Sequence, residues 1–176
     1  MSDDPRYPVG RFTPADEWNN AARTRCRDDI AHLPARLREA IEGLDDRCLD
    51  TPYRDDGWTV RQVVHHLADS HLNAYCRFRL ALTEDEPTIK PYAEARWAEL
   101  HDARTYPAAP SLAILDGVHA RWIGLIDAMS PGDWDRSFVH PEQQRPVTLA
   151  STAALYSWHS RHHVAHINAL RARNAW

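Results

Sequence analysis

The stretch TVRQVVHHLADSHLNAYCRFRLAL, residues 59–82, contains the start and the apolar face of a long helix. Thr59 and Gln62 have the spacing of a capping box, in which both side chains accept hydrogen bonds from backbone N–H groups at the helix start. The apolar residues that follow recur at helical intervals: Val63, Val64, Leu67, Ala74, Tyr75 and Phe78. The stretch therefore predicts a helix that packs one face against a core.

Three other segments show the same spacing of apolar residues. The first, residues 13–44, opens at a Thr-Pro pair typical of a helix start, and Pro34 is expected to kink or restart it. The second covers residues 111–129, and the third covers residues 148–173. The sequence therefore predicts four amphipathic helices.

Four such helices without strand alternation predict an all-α fold, a four-helix bundle of antiparallel or mixed type. Residues 83–110 then form a long crossover connection between the second and third helices. A length of 176 residues is sufficient for one sizeable core but not for two. Residues 1–176 are therefore expected to form a single domain.

The composition limits the classes of function. The net charge is -4 and acidic residues alternate with the arginines, so neither nucleic acid nor an anionic membrane surface is an expected partner. No apolar stretch reaches the roughly 20 residues that a membrane span needs. Three cysteines without a CxxC motif indicate reduced thiols. A cytoplasmic location is therefore expected.

Histidine is the most informative residue type. Seven of the eleven histidines fall in two short stretches, HHLADSH and WHSRHHVAH: His65, His66, His71, His159, His162, His163 and His166. Neutral imidazole is a good ligand for transition metals at neutral pH. Since the stretches belong to different predicted helices, they indicate a metal site between facing helices of the bundle.

Two histidine pairs have the i, i+4 spacing that allows one helix face to chelate an ion. His163 lies within roughly 20° of the centre of the apolar stripe and His159 within about 60°. His166 and His162 lie about 80° and about 120° away. His159 and His163 are therefore the predicted inward pair, whereas His162, His166 and His65 are expected at the surface or as supports for the ligands.

Spacing alone leaves the third ligand open. His71 lies closest to the apolar centre of its helix, while His65 and His66 lie off it. His66 serves equally well if the site lies at the edge of the core, beside a water-filled mouth. Asp69 either supports a ligand through a hydrogen bond or faces solvent.

Most of the chain, residues 7–167, is spanned by four informative stretches: YPVGRF, DTPYRDDGWTVRQVVHHLADSH, FRLALTEDEPTIKPY and LYSWHSRHHVAHI. In these stretches the sequence resembles the YfiT family of the DinB-like superfamily. The resemblance implies a DinB-type four-helix bundle, a homodimer, and one divalent metal ion, nickel or zinc. It also implies three ligands, the histidine that opens HLAD and the HxxxH pair, here His66, His159 and His163. The ending HVAH departs from the HxxGQ of the broader superfamily, which leaves the role of His166 open.

Three protein ligands leave coordination positions open, which is typical of a catalytic metal site, whereas structural zinc sites usually have four protein ligands. Such an ion activates a water or a thiol. Members of the family have been called metal-dependent hydrolases, and relatives in the superfamily transfer thiols such as bacillithiol or mycothiol. The sequence thus predicts a metal-dependent enzyme with a small-molecule substrate, either a hydrolase or a thiol S-transferase. The alternative is a non-catalytic metal-binding or stress-response interaction module.

Overall fold

The computed structural model describes residues 4–14, 17–143 and 145–176, in which four long helices form a bundle. These helices are α1 (Asn20–Ile41), α3 (Val60–Thr83), α6 (Ala109–Asp127) and α7 (Leu149–Asn174). Three short helices lie in the connections: α2 (Asp46–Leu49), α4 (Glu94–Trp97) and α5 (His101–Thr105). A 3-10 turn (Pro131–Asp135) leads into an antiparallel hairpin of β1 (Ser137–His140) and β2 (Arg145–Thr148). The predicted four-helix bundle is confirmed.

The core consists of two apolar clusters, one toward each end of the bundle. The aromatic cluster includes Ile30, Ala74, Phe78, Trp122, Trp134, Ala153 and Tyr156. The aliphatic cluster includes Leu33, Leu37, Val64, Leu67, Leu115, Ile167 and Leu170. From the aromatic to the aliphatic cluster, residue numbers rise along α1 and α7 and fall along α3 and α6. The first two helices therefore run in one direction and the other two in the opposite direction.

This arrangement explains the long connection in the middle of the chain. α1 and α3 each pack against both α6 and α7. The neighbours α3 and α6 are parallel, so residues 84–108 must return the chain along the full length of the bundle, as long crossovers do in other bundles. Between the two clusters, α3, α6 and α7 contribute a polar layer of His71, His119 and His159.

The first long helix begins later than the sequence predicts. α1 starts directly after Asn19, whose side chain accepts a backbone hydrogen bond as N-cap. The helix start predicted at Thr13-Pro14 is wrong, since this pair lies outside any helix. The carbonyl of nearby Gly10 accepts a hydrogen bond from the Trp158 indole at 3.0 Å. The N-terminal segment therefore lies along α7 and does not extend α1.

α1 continues through Pro34, so the restart expected there is wrong. Proline has no backbone N–H, and the carbonyl of Ile30, one turn earlier, therefore lacks its donor within the helix. His119 of α6 donates to this carbonyl from Nδ1 at 2.7 Å. The donor missing from α1 is thus supplied by a neighbouring helix.

The starts of α3 and α7 agree closely with those that the sequence predicts. Thr59 and Gln62 form the predicted capping box at the start of α3. Thr148 caps α7 by accepting a hydrogen bond from the backbone N–H of Ser151 at 3.1 Å. Within the described residues, none of the helices combines the length and the apolar character that crossing a membrane requires.

Candidate metal centre

The structure brings together the three histidines that the family resemblance implies as ligands. His66 lies on α3, and His159 and His163 lie one turn apart on α7, with one ring nitrogen of each within 4.8 Å of the other two. The Nε2 atoms of His66 and His159 are 3.2 Å apart. Two nitrogens on one tetrahedral ion, with bonds of about 2.0–2.1 Å, are separated by about 3.3 Å. Both the donor atoms and their spacing therefore fit a divalent metal ion.

A series of hydrogen bonds, here called the histidine relay, joins His119, His71 and His159. The Ile30 carbonyl can only accept, so His119 carries its proton on Nδ1. His119 Nε2 then accepts from His71 Nδ1 at 3.1 Å. His71 Nε2 in turn accepts from His159 Nδ1 at 3.2 Å. One backbone carbonyl thus determines the tautomer of all three rings.

The relay determines which nitrogen of His159 is free to bind a metal. Because a neutral imidazole carries one proton, a proton on Nδ1 leaves Nε2 with a free lone pair. This Nε2 atom is the one that lies 3.2 Å from His66 Nε2. A hydrogen bond on the second ring nitrogen is the usual support of a metal-binding histidine. His71 therefore supports His159, although its position in the core also made it a candidate ligand.

Burial keeps these rings neutral. It lowers the pKa of His66 to about 4. It likewise lowers the pKa of His119 to about 4, partly offset by the backbone hydrogen bond of this ring. Burial lowers the pKa of His71, His159 and His163 well below the ordinary value, and neighbouring histidines add to the effect. The neutral ring is the form that binds a metal.

A second histidine group shares one member with the first. His162, His163 and His166 also have ring nitrogens within 4.8 Å of one another. Among the described residues, none offers a hydrogen-bond partner to the Nδ1 atoms of these three rings. His162 and His166 are buried, and His166 donates from Nε2 to the Arg6 carbonyl at 3.3 Å. Of the two expectations for them, the surface position is wrong, because residues 4–14 cover this face of α7, and a role as supports for the ligands stays a prediction.

His65 is also buried, but it has a structural role. Its Nε2 donates to the Tyr106 carbonyl at 3.1 Å, so its Nδ1 accepts from the Ser111 hydroxyl at 2.7 Å. These bonds tie α3 to the start of α6. Asp69 is half-buried, and burial raises its pKa to about 6. Within the described part of the chain, no hydrogen bond joins its carboxylate to a histidine.

Sequence analysis does not single out His119, although its position carries a signal. It follows Leu115 by four residues and precedes Trp122 by three, on the buried stripe of α6, and it is 2% exposed. A buried histidine needs a hydrogen-bond partner. That partner, the carbonyl of Ile30, belongs to a distant helix and cannot be read from a local pattern.

One of the three candidate ligands borders a cavity. His159 borders a cavity of about 470 Å³ between α3, α7 and the segment around Tyr92. On another side, the Trp58 ring lies 4.7 Å from the ring of His66. The Trp58 ring thus covers one side of His66, and among the three candidate ligands it is His159 that borders the cavity.

Comparison with known proteins identifies a matching family model and two relatives that cover nearly the whole chain. The family model described as DinB superfamily matches residues 29–167. A relative from Bacillus subtilis, named "Putative metal-dependent hydrolase YfiT", is 45% identical over 170 residues, which cover 97% of this chain and 96% of the relative. A relative from Bacillus mycoides with the same functional name is 49% identical over 173 residues, covering 98% and 99%.

A solved structure gives the same result for the fold. The structure of YfiT from Bacillus subtilis, described as having an unusual four-helix bundle topology, matches with a TM-score of 0.94. The identity is 45%, and the match covers 98% of each chain. Sequence and fold similarity therefore extend over nearly the whole chain.

Proposed function

The chain belongs to the DinB superfamily, and on this premise we propose that it is a metal-dependent hydrolase in which His66, His159 and His163 hold one divalent ion. A divalent ion bound in this way acidifies a water or a thiol and so supplies a nucleophile at neutral pH. The proposal rests on one observation, the convergence of nitrogens from three neutral imidazoles. Imidazole suits both zinc and nickel.

The cavity beside His159 supplies the rest of the proposed reaction site. Tyr156 donates its hydroxyl proton to the Ser70 carbonyl at 3.1 Å. The Ser70 hydroxyl, 3.1 Å from the Tyr156 oxygen, therefore acts as donor in that contact. This pair forms a fixed polar wall next to His159. Such a wall orients a substrate group against the metal centre.

Thiol transfer is the second candidate, because the cavity is far larger than a single nucleophilic water requires. A volume of about 470 Å³ accommodates a small organic molecule. A water molecule occupies only about 30 Å³ of liquid. This volume is in the usual range for a small-molecule pocket and suits an organic thiol as well as a hydrolase substrate, so the assay must separate the two reactions.

The two reactions can be separated by assay. Metal-loaded protein, purified without an affinity tag, is incubated with ester, amide and phosphoester panels, and separately with bacillithiol and monochlorobimane. We expect hydrolysis that depends on the metal and disappears in His163→Ala. Conjugation without hydrolysis would replace the hydrolase with a transferase. Full metal occupancy without either reaction would favour the non-catalytic module.

Loss of the histidine relay is expected to weaken metal binding. His71→Phe removes the acceptor of the His159 Nδ1 proton, so that His159 no longer has one preferred tautomer. Removing such supporting partners typically costs about 10- to 100-fold in metal affinity. Zinc affinity is measured by competition with a chelator, and the tautomer of His159 is followed by ¹⁵N NMR.

His65→Phe is the matched control for this variant. It removes another buried histidine of the same helix, whose hydrogen bonds go to Ser111 and Tyr106. We expect it to cost stability comparable to His71→Phe but to leave metal affinity within about twofold. Equal losses of affinity in both variants would show that the relay has no specific effect.

A further inference from the structure

The cavity beside His159 extends along α3 to an arginine that the proposed metal chemistry does not use. Ser70 and Arg77 both line it. Seven residues correspond to about two turns, so these side chains project from the same face of α3 about 10 Å apart along its axis. The cavity therefore has a metal end, at His159 and Ser70, and a cationic end, at Arg77.

Arg77 is half-buried and has no anionic partner. In the part of the chain that the structure describes, no ion pair or hydrogen bond engages its guanidinium. The other arginines near the site differ in this respect. Arg61 binds Asp46 and Asp50 at 2.7 and 2.6 Å, and Arg161 binds Asp29 at 3.0 Å. Arg77 therefore retains a planar set of donors that fits a carboxylate.

The charges around the cavity favour a carboxylate over a phosphate. The carboxylates of Glu94 and Glu142 line it as well, and both residues are exposed. The charges of Arg77 and Glu94 both affect the pKa of Tyr156, which burial raises; Arg77 opposes the rise and Glu94 adds to it. Arg77, Glu94 and Glu142 together carry a formal charge of -1, so attraction for an anion comes from Arg77 alone, and a doubly charged phosphate meets stronger repulsion from the two glutamates than a singly charged carboxylate does.

We propose that this cavity binds a small organic carboxylate whose reacting group lies at His159 and whose carboxylate is held by Arg77, about two helical turns away. Only one part of this inference, the position of the reacting group at His159, rests on the proposed function. The binding of the carboxylate is a property of Arg77 and can be tested with and without metal.

The test compares two thiols that differ only in the group at the end of the chain opposite the sulfur. Co²⁺-loaded protein is titrated with 6-mercaptohexanoate and with 6-mercaptohexan-1-ol, and binding is followed by the cobalt–thiolate absorption. Both thiols can bind the ion, but only the first offers a carboxylate to Arg77. We expect the carboxylate to bind at least about 10-fold more tightly, as a charged hydrogen-bonded pair requires. In Arg77→Gln this preference should disappear.

Arg79→Gln is the control, because Arg79 lies on the same helix, is exposed and donates to the Tyr75 hydroxyl outside the cavity. It should retain the preference. Equal affinities of the two thiols in the unmodified protein, or a preference that survives Arg77→Gln, would overturn the inference.

A metal-free experiment separates this inference from the metal proposal. Hexanoate and hexan-1-ol are titrated into the apo protein, and the NMR signals of Ser70, Tyr92 and Leu155 are followed. We expect shifts with hexanoate alone, and their loss in Arg77→Gln. If the protein fails to bind cobalt but shows these shifts, the metal proposal fails and the carboxylate site stands. If hexanoate produces no shifts while cobalt binds, the carboxylate site fails and the metal proposal stands.

Discussion

The metal-free protein is expected to unfold as the pH falls from about 6.5 to about 5, near and below the pKa of unperturbed histidine. Burial lowers the pKa of eight histidines: His65, His66, His71, His119, His159, His162, His163 and His166. The unfolded chain therefore takes up protons at a higher pH than the folded protein. Stability is highest above about pH 6.5 and is lost as the pH falls toward the folded pKa values.

The expected effect is large because the histidines act together. Each ring that is protonated only after unfolding contributes about 1.4 kcal/mol per pH unit. If half of the eight behave in this way, the loss is about 5 kcal/mol per pH unit, comparable to the whole stability of a small domain. Circular dichroism as a function of pH measures the midpoint.

Two comparisons test this explanation of acid unfolding. His101→Gln, which replaces an exposed histidine, should leave the midpoint unchanged. Saturating zinc should move the midpoint to lower pH, because the ion binds the folded state only. Apo protein that remains folded at pH 4.5 would contradict the prediction.

His66→Ala is expected to reduce zinc affinity by more than about 100-fold, which exceeds the usual effect of losing a supporting partner. The variant removes the one proposed ligand on α3 and leaves the two proposed ligands on α7. Metal content by mass spectrometry and affinity by chelator competition measure the loss.

The two histidine groups make this experiment decisive, because they share His163. His163→Ala should abolish binding at either group. His166→Ala should retain most of the affinity if the ion lies between α3 and α7. The reverse pattern, with His166→Ala losing the metal and His66→Ala keeping it, would assign the ion to the second group.

Local signals in the sequence were sufficient for most of the bundle. The capping box at Thr59 predicts the start of α3, because its hydrogen bonds lie within three residues. The beginning of the apolar pattern near residue 148 predicts the start of α7. The start of α1 was not predictable in this way. The Thr-Pro pair has the chemistry of a helix start, but its segment lies along α7, and this contact depends on Trp158, more than 100 residues away.

The candidate site shows the same difference between local signals, which the sequence reveals, and contacts between distant segments, which it does not. Helical spacing identifies His159 and His163, because both lie on one face of one helix. It also places His162 and His166 outside the core, since a helical wheel assumes one solvent-facing side. Residues 4–14 cover that side, which no periodicity within α7 reveals. The choice of His66 over His71 depends on contacts between helices and required the family resemblance.

Pro34 has a consequence for protein engineering. Proline inside a helix costs roughly 3 kcal/mol relative to alanine, which makes Pro34→Ala an obvious choice for raising heat resistance. Alanine, however, restores an N–H group that competes with His119 for the Ile30 carbonyl. Pro34→Ala would then stabilise α1 but leave the imidazole of His159, the last ring of the histidine relay, less firmly oriented. If the two donors compete, Pro34→Ala is expected to raise the thermal stability of the protein and to weaken metal binding at the proposed site.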